Sequence, residues 1–315
     1  MAKVSAVIPT HNCADFVPGA VETVLKQTYG DIEAVVVNDG STDETDDVLA
    51  PYDDIDRVRV LHNEETRGLS YSFNRGIRAA DGTYICPLAA DDRWHREKIK
   101  KQVQVMDQLD PEYCGVYTAG IVTHKREILD VEQPDAEDDL YPEVLVDNEI
   151  PRSSHMIRRA CLKDVGLFDT DVTGAIDWDL MIRLAKKYKF GYVPQILVET
   201  QRRDDTVLEG WGSQKEALGM LWEKYESEIE HHPKVYRRFQ AARKEAKAFY
   251  QIGKRSRFAV TRSFFEAFRF DHSVRYLIYG LTGLTGRRGF RLARNIRDWW
   301  LQRQTGSKTE LIYER

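Results

Sequence analysis

The 315-residue sequence has few cysteines and no long apolar run, and each absence excludes a class of protein. Its four cysteines are far apart and form no Cys-X-X-Cys pair, so we expect reduced thiols in a cytoplasmic protein. No apolar stretch approaches the roughly 18 residues that span a bilayer. The N-terminus leads directly into a strand-like pattern, and we expect no signal peptide.

The composition and the charge distribution indicate which classes of protein remain. A hydrophobic fraction of 42% with 10% aromatic residues is typical of a globular protein. The net charge is −5, but residues 252–303 carry twelve Lys or Arg and three Asp or Glu, a local +9 that leaves −14 elsewhere. This asymmetry indicates a C-terminal segment that faces an anionic surface. No recognised nucleic-acid-binding module accompanies the charge, so we expect no nucleic-acid partner.

Strands and helices alternate along the first part of the chain. Short apolar runs indicate buried strands, and apolar residues at helical spacing indicate the helices between them. A capping box, Ser41 to Glu44, predicts a helix start after the second strand. The predicted order is strand Val4–Ile8, helix Phe16–Gln27, strand Ile32–Val37, strand Val58–Leu61, a helix from Leu69 to about Asp81, and a strand ending at Asp91. This order predicts an α/β fold with a mostly parallel sheet and helices on both faces.

The second part of the chain contains longer helices. We predict a helix from Arg93 to about Leu109, helices at Arg159–Val165 and Ile176–Tyr188, and late strands at Phe190–Val193 and Ile196–Thr200. From Gly212 onward the pattern is helical throughout. We therefore predict two domains, an α/β domain at residues 1–210 and a basic helical extension at residues 211–315.

Two adjacent acids, Asp91 and Asp92, end the apolar run that begins at Tyr84. Acids at the carboxyl end of a strand lie at the mouth of an open α/β sheet, where ligands bind. Neighbouring carboxylates repel each other unless a cation lies beside them. Mg²⁺ and Mn²⁺ favour one or two carboxylates together with the oxygens of a phosphorylated substrate. The sequence therefore predicts a site for a divalent metal and a diphosphate.

Six segments in order resemble one known family, the inverting glycosyltransferases of GT-A fold, family 2. They are VSAVIPTHN, VVVNDGSTDET, NEETRGLSYSFNRGI, YICPLAADDRW, VGLFD and AIDWDLMIRLA, and together they cover roughly the first 200 residues. The resemblance implies a Rossmann-like GT-A domain that binds a nucleoside-diphosphate sugar. It also implies a divalent metal, Mn²⁺ or Mg²⁺, held by an Asp-X-Asp motif.

The resemblance assigns donor contacts to residues that follow the first strands. Parallel strands in this order place their carboxyl ends beside one crevice. A carboxylate at Asp39 can accept hydrogen bonds from the N–H groups of uracil or guanine, although Asp39 also fits a turn and helix cap. Arg67 either contacts the diphosphate or is a solvated loop residue. The candidate donor-binding residues are Pro9, Thr10, Asn12, Asp39, Arg67, Asp91 and Arg203.

The metal motif departs from the family pattern. Asp91 resembles the direct metal ligand, and Asp92 is expected to support it, to serve as an alternative ligand or to cap the following helix. Ala89 stands where most relatives carry the first acid. The predicted site therefore has one carboxylate ligand and is completed by the diphosphate of the substrate.

Asp177 is the predicted catalytic base. Inverting transfer requires a carboxylate that takes the proton of the acceptor hydroxyl as this oxygen attacks the sugar. Asp177 matches the second residue of the Glu-Asp motif of the family, and Ile176 replaces the Glu. Asp179 is the alternative base, although acids at a helix N-terminus are also favoured by the helix dipole alone.

The end of the chain combines arginines with an apolar face. Leu292, Ile296, Trp299 and Trp300 alternate with Arg291, Arg294, Arg297 and Arg303 at helical spacing. A basic helix with a tryptophan-bearing face suits an anionic membrane surface. The alternative is that these helices pack on the catalytic domain and expose their arginines.

Together these patterns predict a metal-dependent inverting glycosyltransferase that uses a UDP-sugar in preference to a GDP-sugar. The expected acceptor is a lipid-linked glycan, a polysaccharide or another glycan, and the expected location is cytoplasmic, with contact to the cytoplasmic face of the membrane. A non-catalytic sugar-nucleotide-binding protein is the alternative, because Ala89 and Ile176 replace acids. A nucleotidyltransferase is disfavoured because no Gly-rich loop with Arg or Lys follows the first strand.

Overall fold

A computed structural model describes residues 2–125, 127–134, 138–202, 204–253 and 257–284, without the side chains of residues 204–213, 252, 253, 257 and 282–284. The chain forms two compact units, residues 1–203 and residues 204–315.

The first half of the first unit is a parallel α/β arrangement. Its elements are β1 (Val4–Thr10), α1 (Val17–Leu25), β2 (Ile32–Asn38), α2 (Thr45–Leu49), β3 (Val58–His62), α3 (Leu69–Ala79) and β4 (Tyr84–Pro87). The four strands are parallel and lie in the order β3-β2-β1-β4. Every residue of β1 and β2 is buried, as expected for parallel strands covered on both faces.

The second half extends the same sheet with mixed strand directions. Its elements are β5 (Arg93–Trp94), α4 (Lys98–Met106), β6 (Tyr113–His124), β7 (Glu127–Glu132), β8 (Met156–Arg158), α5 (Arg159–Val165), α6 (Ile176–Ala185) and β9 (Lys189–Gln201). β8 is antiparallel to both β4 and β6, and β9 is parallel to β6 and antiparallel to β5. β7 pairs with β6 as a hairpin. The predicted parallel order thus describes the first four strands.

The packing of helices on the sheet follows the apolar pattern. The buried face of α1 consists of Val17, Ala20, Val21 and Val24. α3 buries Phe73 and Ile77, but Leu69 is 44% exposed, so the predicted apolar face of α3 begins one turn later. Gly76 allows α3 to approach β1 closely, because a Cβ atom there would lie 2.4 Å from Cγ1 of Val7.

The capping box predicted at Ser41 is wrong. α2 begins at Thr45, and Glu44 occupies its N-cap position without a side-chain hydrogen bond. The Ser41 hydroxyl instead donates to Oδ1 of Asn38 at 2.6 Å and accepts from the backbone N–H of Asn12 at 2.9 Å. The Ser41 hydroxyl, which was predicted to cap α2, is therefore bonded to Asn38 and Asn12 at the ends of β2 and β1.

The helix predicted to begin at Arg93 is shorter at its start. Arg93 and Trp94 form β5, which pairs with the end of β9, and α4 begins at Lys98. Trp94 is 3% exposed, so its burial accompanies the strand pairing. The predicted role of Asp92 as a helix cap is therefore wrong, because no helix starts beside it.

The second unit is helical over its described residues. Its helices are α7 (Asp204–His231), α8 (Pro233–Gly253), α9 (Arg257–Asp271) and α10 (Val274–Leu284). Its apolar core is formed by Ala241, Ala248, Val260, Phe264, Ala267 and Tyr276. Among the described residues, no helix is both long enough and apolar enough to cross a membrane. The Trp- and Arg-rich segment 291–303 lies outside the described residues.

Candidate functional site

The loops after β1 and β2 form one connected edge. The backbone N–H of Asp39 donates to the carbonyl of Thr10 at 2.8 Å, and Nδ1 of His11 lies 2.9 Å from the carbonyl oxygen of Asp39. Asn12, whose φ of 49° lies in the left-handed region, accepts from the backbone N–H of Thr42 at 2.8 Å. Asn readily adopts this conformation. Three predicted donor residues, Thr10, Asn12 and Asp39, are therefore neighbours.

The carboxylate of Asp39 organises a third loop. It accepts hydrogen bonds from Nδ2 of Asn63 at 2.5 Å and from the backbone N–H groups of Arg67 at 2.9 Å and Gly68 at 2.8 Å. Burial alone would raise the pKa of Asp39, but these bonds, together with one from Ser72, lower it. Asp39 thus fixes residues 63–68 beside β1 and β2. A contact to the nucleobase stays a prediction.

The other predicted donor residues differ in exposure. Pro9 is buried within β1. Thr10 is 3% exposed, and its buried hydroxyl has no hydrogen-bond partner among the described residues, so it can serve a polar ligand. The Arg67 guanidinium contacts Oε1 of Glu65 at 3.3 Å and lies 4.8 Å from the centre of the Tyr71 ring. Arg203 lies outside the described residues.

Asp92 is a buried anchor rather than a ligand candidate. It lies five residues beyond the end of β4 and is 2% exposed. Its carboxylate accepts from Oγ of Ser153 at 2.5 Å and from the backbone of Gln201. Burial and the charge of Asp91 raise the pKa of Asp92 to about 7. Asp92 therefore ties the loop after β4 to the end of β9 and to the residues before β8.

Asp91 has the properties of a single metal ligand. Its carboxylate is partly exposed and makes no hydrogen bond or salt bridge to any described residue. Mg²⁺ and Mn²⁺ sites commonly use one or two protein carboxylates with phosphate oxygens and water. The described residues contain no group of three His, Cys, Asp or Glu that could hold a metal ion. Among the described residues Asp91 can therefore offer a metal one carboxylate, and a metal ion there stays a prediction.

Asp177 lies in the first turn of α6. Its side chain is 21% exposed, and its Oδ2 accepts from Nε of Arg152 at 3.2 Å. Burial alone would raise the pKa of Asp177, but the charge of Arg152 and hydrogen bonds from Arg152 and the Trp178 N–H lower it. Asp177 is therefore an ionised, reachable carboxylate, as a general base must be.

Asp179 lies two residues later and has a structural role. Its side chain is fully buried and pairs with Nε of Arg183 at 2.9 Å. The remaining nitrogens of Arg183 donate to the backbone carbonyls of Val165, Gly166 and Leu167. Asp179 thus braces the segment after α5, and its burial keeps it from a substrate.

A turn that no sequence motif marks contacts both Asp92 and Asp177. Residues Arg152–Ser154 form a 3₁₀ turn directly before β8. Ser153 accepts from Nε1 of Trp94 at 2.8 Å through its carbonyl, and Nδ1 of His155 lies 2.9 Å from the carbonyl of Arg152. In the sequence this turn is marked only by a short polar run, PRSSH, which matches no motif. The pairing of β8 with β4 brings this run to the candidate site.

A small cavity adjoins Asp177. Its volume is about 20 Å³, enough for one water molecule. Nε2 of His155 is buried without a described partner, and burial lowers the pKa of His155 to about 4, so its ring is neutral at pH 7. The lining is mostly apolar and comprises Phe73, Pro87, Arg152, His155, Ile157, Phe168, Ile176, Asp177, Leu180 and Met181. Ile176, which replaces an acid, contributes to this apolar character.

Comparison with known proteins agrees with this geometry. The profile of glycosyl transferase family 2 matches residues 5–166, about half of the chain. An uncharacterized glycosyltransferase of Rickettsia typhi, RT0329, is 27% identical over 227 residues, 70% of each chain. The chain spans 38% to 70% of the length of the first three curated relatives it matches.

Two further proteins are similar over different lengths. The UDP-Glc:alpha-D-GlcNAc-diphosphoundecaprenol beta-1,3-glucosyltransferase WfaP of Escherichia coli is 36% identical over 107 residues, 34% of this chain and 42% of that protein. The crystal structure of S. aureus TarS 1-349 in complex with UDP-GlcNAc superposes with a TM-score of 0.58 at 15% identity, covering 92% of each chain. The chain therefore belongs to glycosyl transferase family 2, and its first unit has the GT-A fold.

Proposed function

We propose that the first unit transfers a sugar, with inversion, from a nucleoside-diphosphate sugar to an acceptor hydroxyl. The observation that carries this proposal is that one turn of chain contacts both acid positions: Arg152 pairs with Asp177, and Ser153 bonds to Asp92 beside Asp91. Asp91 has no hydrogen-bond or salt-bridge partner in the part of the chain that the structure describes, whereas Asp177 is ionised and 21% exposed, and the charges of both acids act on Arg152. Opposite roles for two nearby acids are what this chemistry requires.

Donor binding is assigned to the carboxyl edge of the parallel strands. Pro9, Thr10, Asn12 and Asp39 would lie beside the nucleoside, where Asp39 also fixes the neighbouring loop. Arg67 and Arg203 are proposed to contact the diphosphate. Arginine suits this role because its planar donors match phosphate oxygens.

Asp91 would hold the divalent metal, Mn²⁺ or Mg²⁺, together with the diphosphate. When bound, such an ion stabilises the negative charge that develops on the leaving diphosphate. With Ala89 in place of the first acid, the protein supplies one carboxylate. The affinity for metal alone is therefore low and rises when the nucleotide is present.

Asp177 would act as the general base. It takes the proton of the acceptor hydroxyl while that oxygen forms a bond to the anomeric carbon from the face opposite the diphosphate. The bond from the anomeric carbon to the diphosphate oxygen breaks with its electron pair, and the nucleoside diphosphate leaves. Such proton transfer contributes about 10²- to 10⁴-fold to the rate.

The donor is proposed to be a UDP-sugar in preference to a GDP-sugar. Two similar proteins are named with UDP-Glc or solved with UDP-GlcNAc, which supports this choice. The acceptor is proposed to be a lipid-linked glycan, a polysaccharide or another glycan precursor. A diphosphoundecaprenol-linked sugar in the name of WfaP supports the first of these classes.

The second unit is proposed to contact an anionic membrane on its cytoplasmic face. Phe258, Val274, Ile278 and Leu281 of α9 and α10 are between 51% and 87% exposed. Exposed apolar residues on a basic segment favour an interfacial position. Flotation with vesicles containing anionic lipid, compared with neutral vesicles, tests this: equal flotation with both would refute it.

The non-catalytic alternative rests on the replacement of acids by Ala89 and Ile176. Release of UDP from a panel of UDP-sugars, with Mn²⁺ and a glycan acceptor, separates it from the proposed activity. We expect release by the wild type, loss in Asp91→Ala and Asp177→Asn, and no change in Asp54→Asn, an exposed control. Binding of a nucleotide sugar without release by the wild type would favour the alternative.

A further inference from the structure

Among the described residues, only one nitrogen of the Arg152 side chain makes a hydrogen bond. Nε contacts Oδ2 of Asp177 at 3.2 Å, whereas the two terminal nitrogens make no hydrogen bond to a described residue. The side chain is 54% exposed. A guanidinium has five N–H donors, so most of its donor capacity faces outward. This is an arrangement for binding an anion.

The carboxylates around Arg152 show where its guanidinium lies in the candidate site. Asp177, Asp92 and Asp91 all act electrostatically on its guanidinium, and Glu132 lies close enough to respond to it. Arg152 pairs with the proposed base, and the next residue, Ser153, bonds to Asp92 beside the proposed metal ligand Asp91, so Arg152 is near both positions. In the proposed reaction, the group between these two positions is the sugar attached to its diphosphate.

The backbone that carries Arg152 is firmly held. The Ser153 hydroxyl donates to Asp92 and accepts from the backbone N–H of Ala89 at 3.1 Å. The carbonyl of Ser154 accepts from Nε2 of Gln102 at 2.7 Å, and Gln102 is itself bonded to the buried Lys98. A fixed backbone with an outward guanidinium reduces the entropy lost when a ligand binds.

We propose that Arg152 binds the donor diphosphate through its terminal nitrogens while its Nε positions Asp177. This inference rests on the proposed function. Two parallel N–H groups of arginine match two phosphate oxygens, and such charge-assisted bonds strengthen as negative charge builds on the leaving group. Arg152 also adds a positive charge beside a site that lacks the acid at Ala89.

The same positive charge opposes a metal ion when no nucleotide is present. A divalent cation at Asp91 and the guanidinium of Arg152 repel each other until a diphosphate lies between them. Arg152 therefore favours nucleotide binding without metal and disfavours metal binding without nucleotide. These two effects have opposite signs, which a general loss of structure would not produce.

The test compares wild type, Arg152→Gln, Arg152→Lys and the exposed control Arg78→Gln. Isothermal titration with UDP in EDTA is expected to show about 10- to 100-fold weaker binding for Arg152→Gln, partial recovery for Arg152→Lys and wild-type binding for Arg78→Gln. Titration with Mn²⁺ alone, followed by the electron paramagnetic resonance of the free ion, is expected to show tighter binding for Arg152→Gln.

The outcomes separate the two proposals. If the wild type binds UDP in EDTA and Arg152→Gln binds it equally well, the role of Arg152 is refuted while the proposed function stands. If the wild type binds UDP but releases none from any UDP-sugar, the proposed function fails and the binding comparison still decides the role of Arg152. Weaker binding of both UDP and Mn²⁺ by Arg152→Gln would also refute the inference, because it indicates general damage.

Discussion

Nε of Arg152 lies 3.2 Å from Oδ2 of Asp177, so the proposed base begins as half of an ion pair. The pair keeps the carboxylate ionised and oriented toward the small cavity beside α6. It also makes the carboxylate a weaker base until the guanidinium finds another anion. The diphosphate of the donor is such an anion, which would link donor binding to the basicity of Asp177.

Asp177→Asn is expected to lower kcat about 10²- to 10⁴-fold, because an amide cannot accept the acceptor proton. UDP affinity is expected not to fall, since Asp177 contacts no part of the nucleotide in the proposed mechanism and its loss leaves the Arg152 guanidinium free for the diphosphate. Steady-state kinetics and isothermal titration on one preparation measure both. A large loss of UDP affinity would contradict the assignment.

The acidic limb of the pH profile is expected below about pH 4, the ordinary pKa of an aspartate. The pKa of Asp177 is lowered in the folded protein. Asp177 therefore stays ionised down to a pH below the ordinary aspartate pKa, and activity is lost only as pH falls through the lowered pKa. The measurement is kcat/KM for the donor, which reports the free enzyme, between pH 3.5 and 8, with stability checked at each pH. A limb near pH 6 would contradict this assignment.

Asp39→Asn is expected to destabilise the fold by about 2–4 kcal/mol, because one of the two accepting oxygens becomes an NH2 group that faces the backbone N–H of Arg67 or of Gly68. The lowered pKa of Asp39 gives a second expectation. Ionised Asp39 stabilises the folded protein at pH values above the pKa that Asp39 has in the unfolded chain. This stabilisation is lost as pH falls through the lower pKa that Asp39 has in the folded protein. Urea unfolding of variant and wild type at pH 7 and pH 3 should therefore show a smaller difference in acid.

Gly76→Ala is expected to destabilise the protein by about 1–3 kcal/mol, although alanine favours helices. The added Cβ would lie 2.4 Å from Cγ1 of Val7 in β1, so strand or helix must shift. Gly30→Ala is the matched control, because nothing lies within 4 Å of its added Cβ. Thermal unfolding of both variants measures the difference, and equal melting temperatures would contradict the packing of α3 on β1.

The parallel half of the fold could be predicted because its signals are local. The runs that became β1 and β2 are apolar throughout, and only strands covered on both faces need that pattern. The start of α2 was missed because the Ser41 hydroxyl bonds to Asn38 and Asn12, which are distant from the helix it was expected to cap. The β5 strand was missed because its partner, β9, lies about a hundred residues later.

The candidate site likewise contains residues that local sequence patterns identify and one residue that they do not. Asp39, Asp91 and Asp177 lie near strand or helix ends that the sequence marks, so their positions followed from the motifs. Arg152 carries no motif, and it meets Asp177 only because β8 pairs with β4. Its role depends on a contact between segments that no local pattern connects.

The stereochemistry of the product tests the central claim most directly. Proton NMR of the new glycosidic linkage, formed from an α-linked UDP-sugar, is expected to show a β-linkage for the wild type and product formation at least about 10²-fold slower for Asp177→Asn. An α-linked product, or undiminished transfer by Asp177→Asn, would contradict inverting transfer with Asp177 as the base.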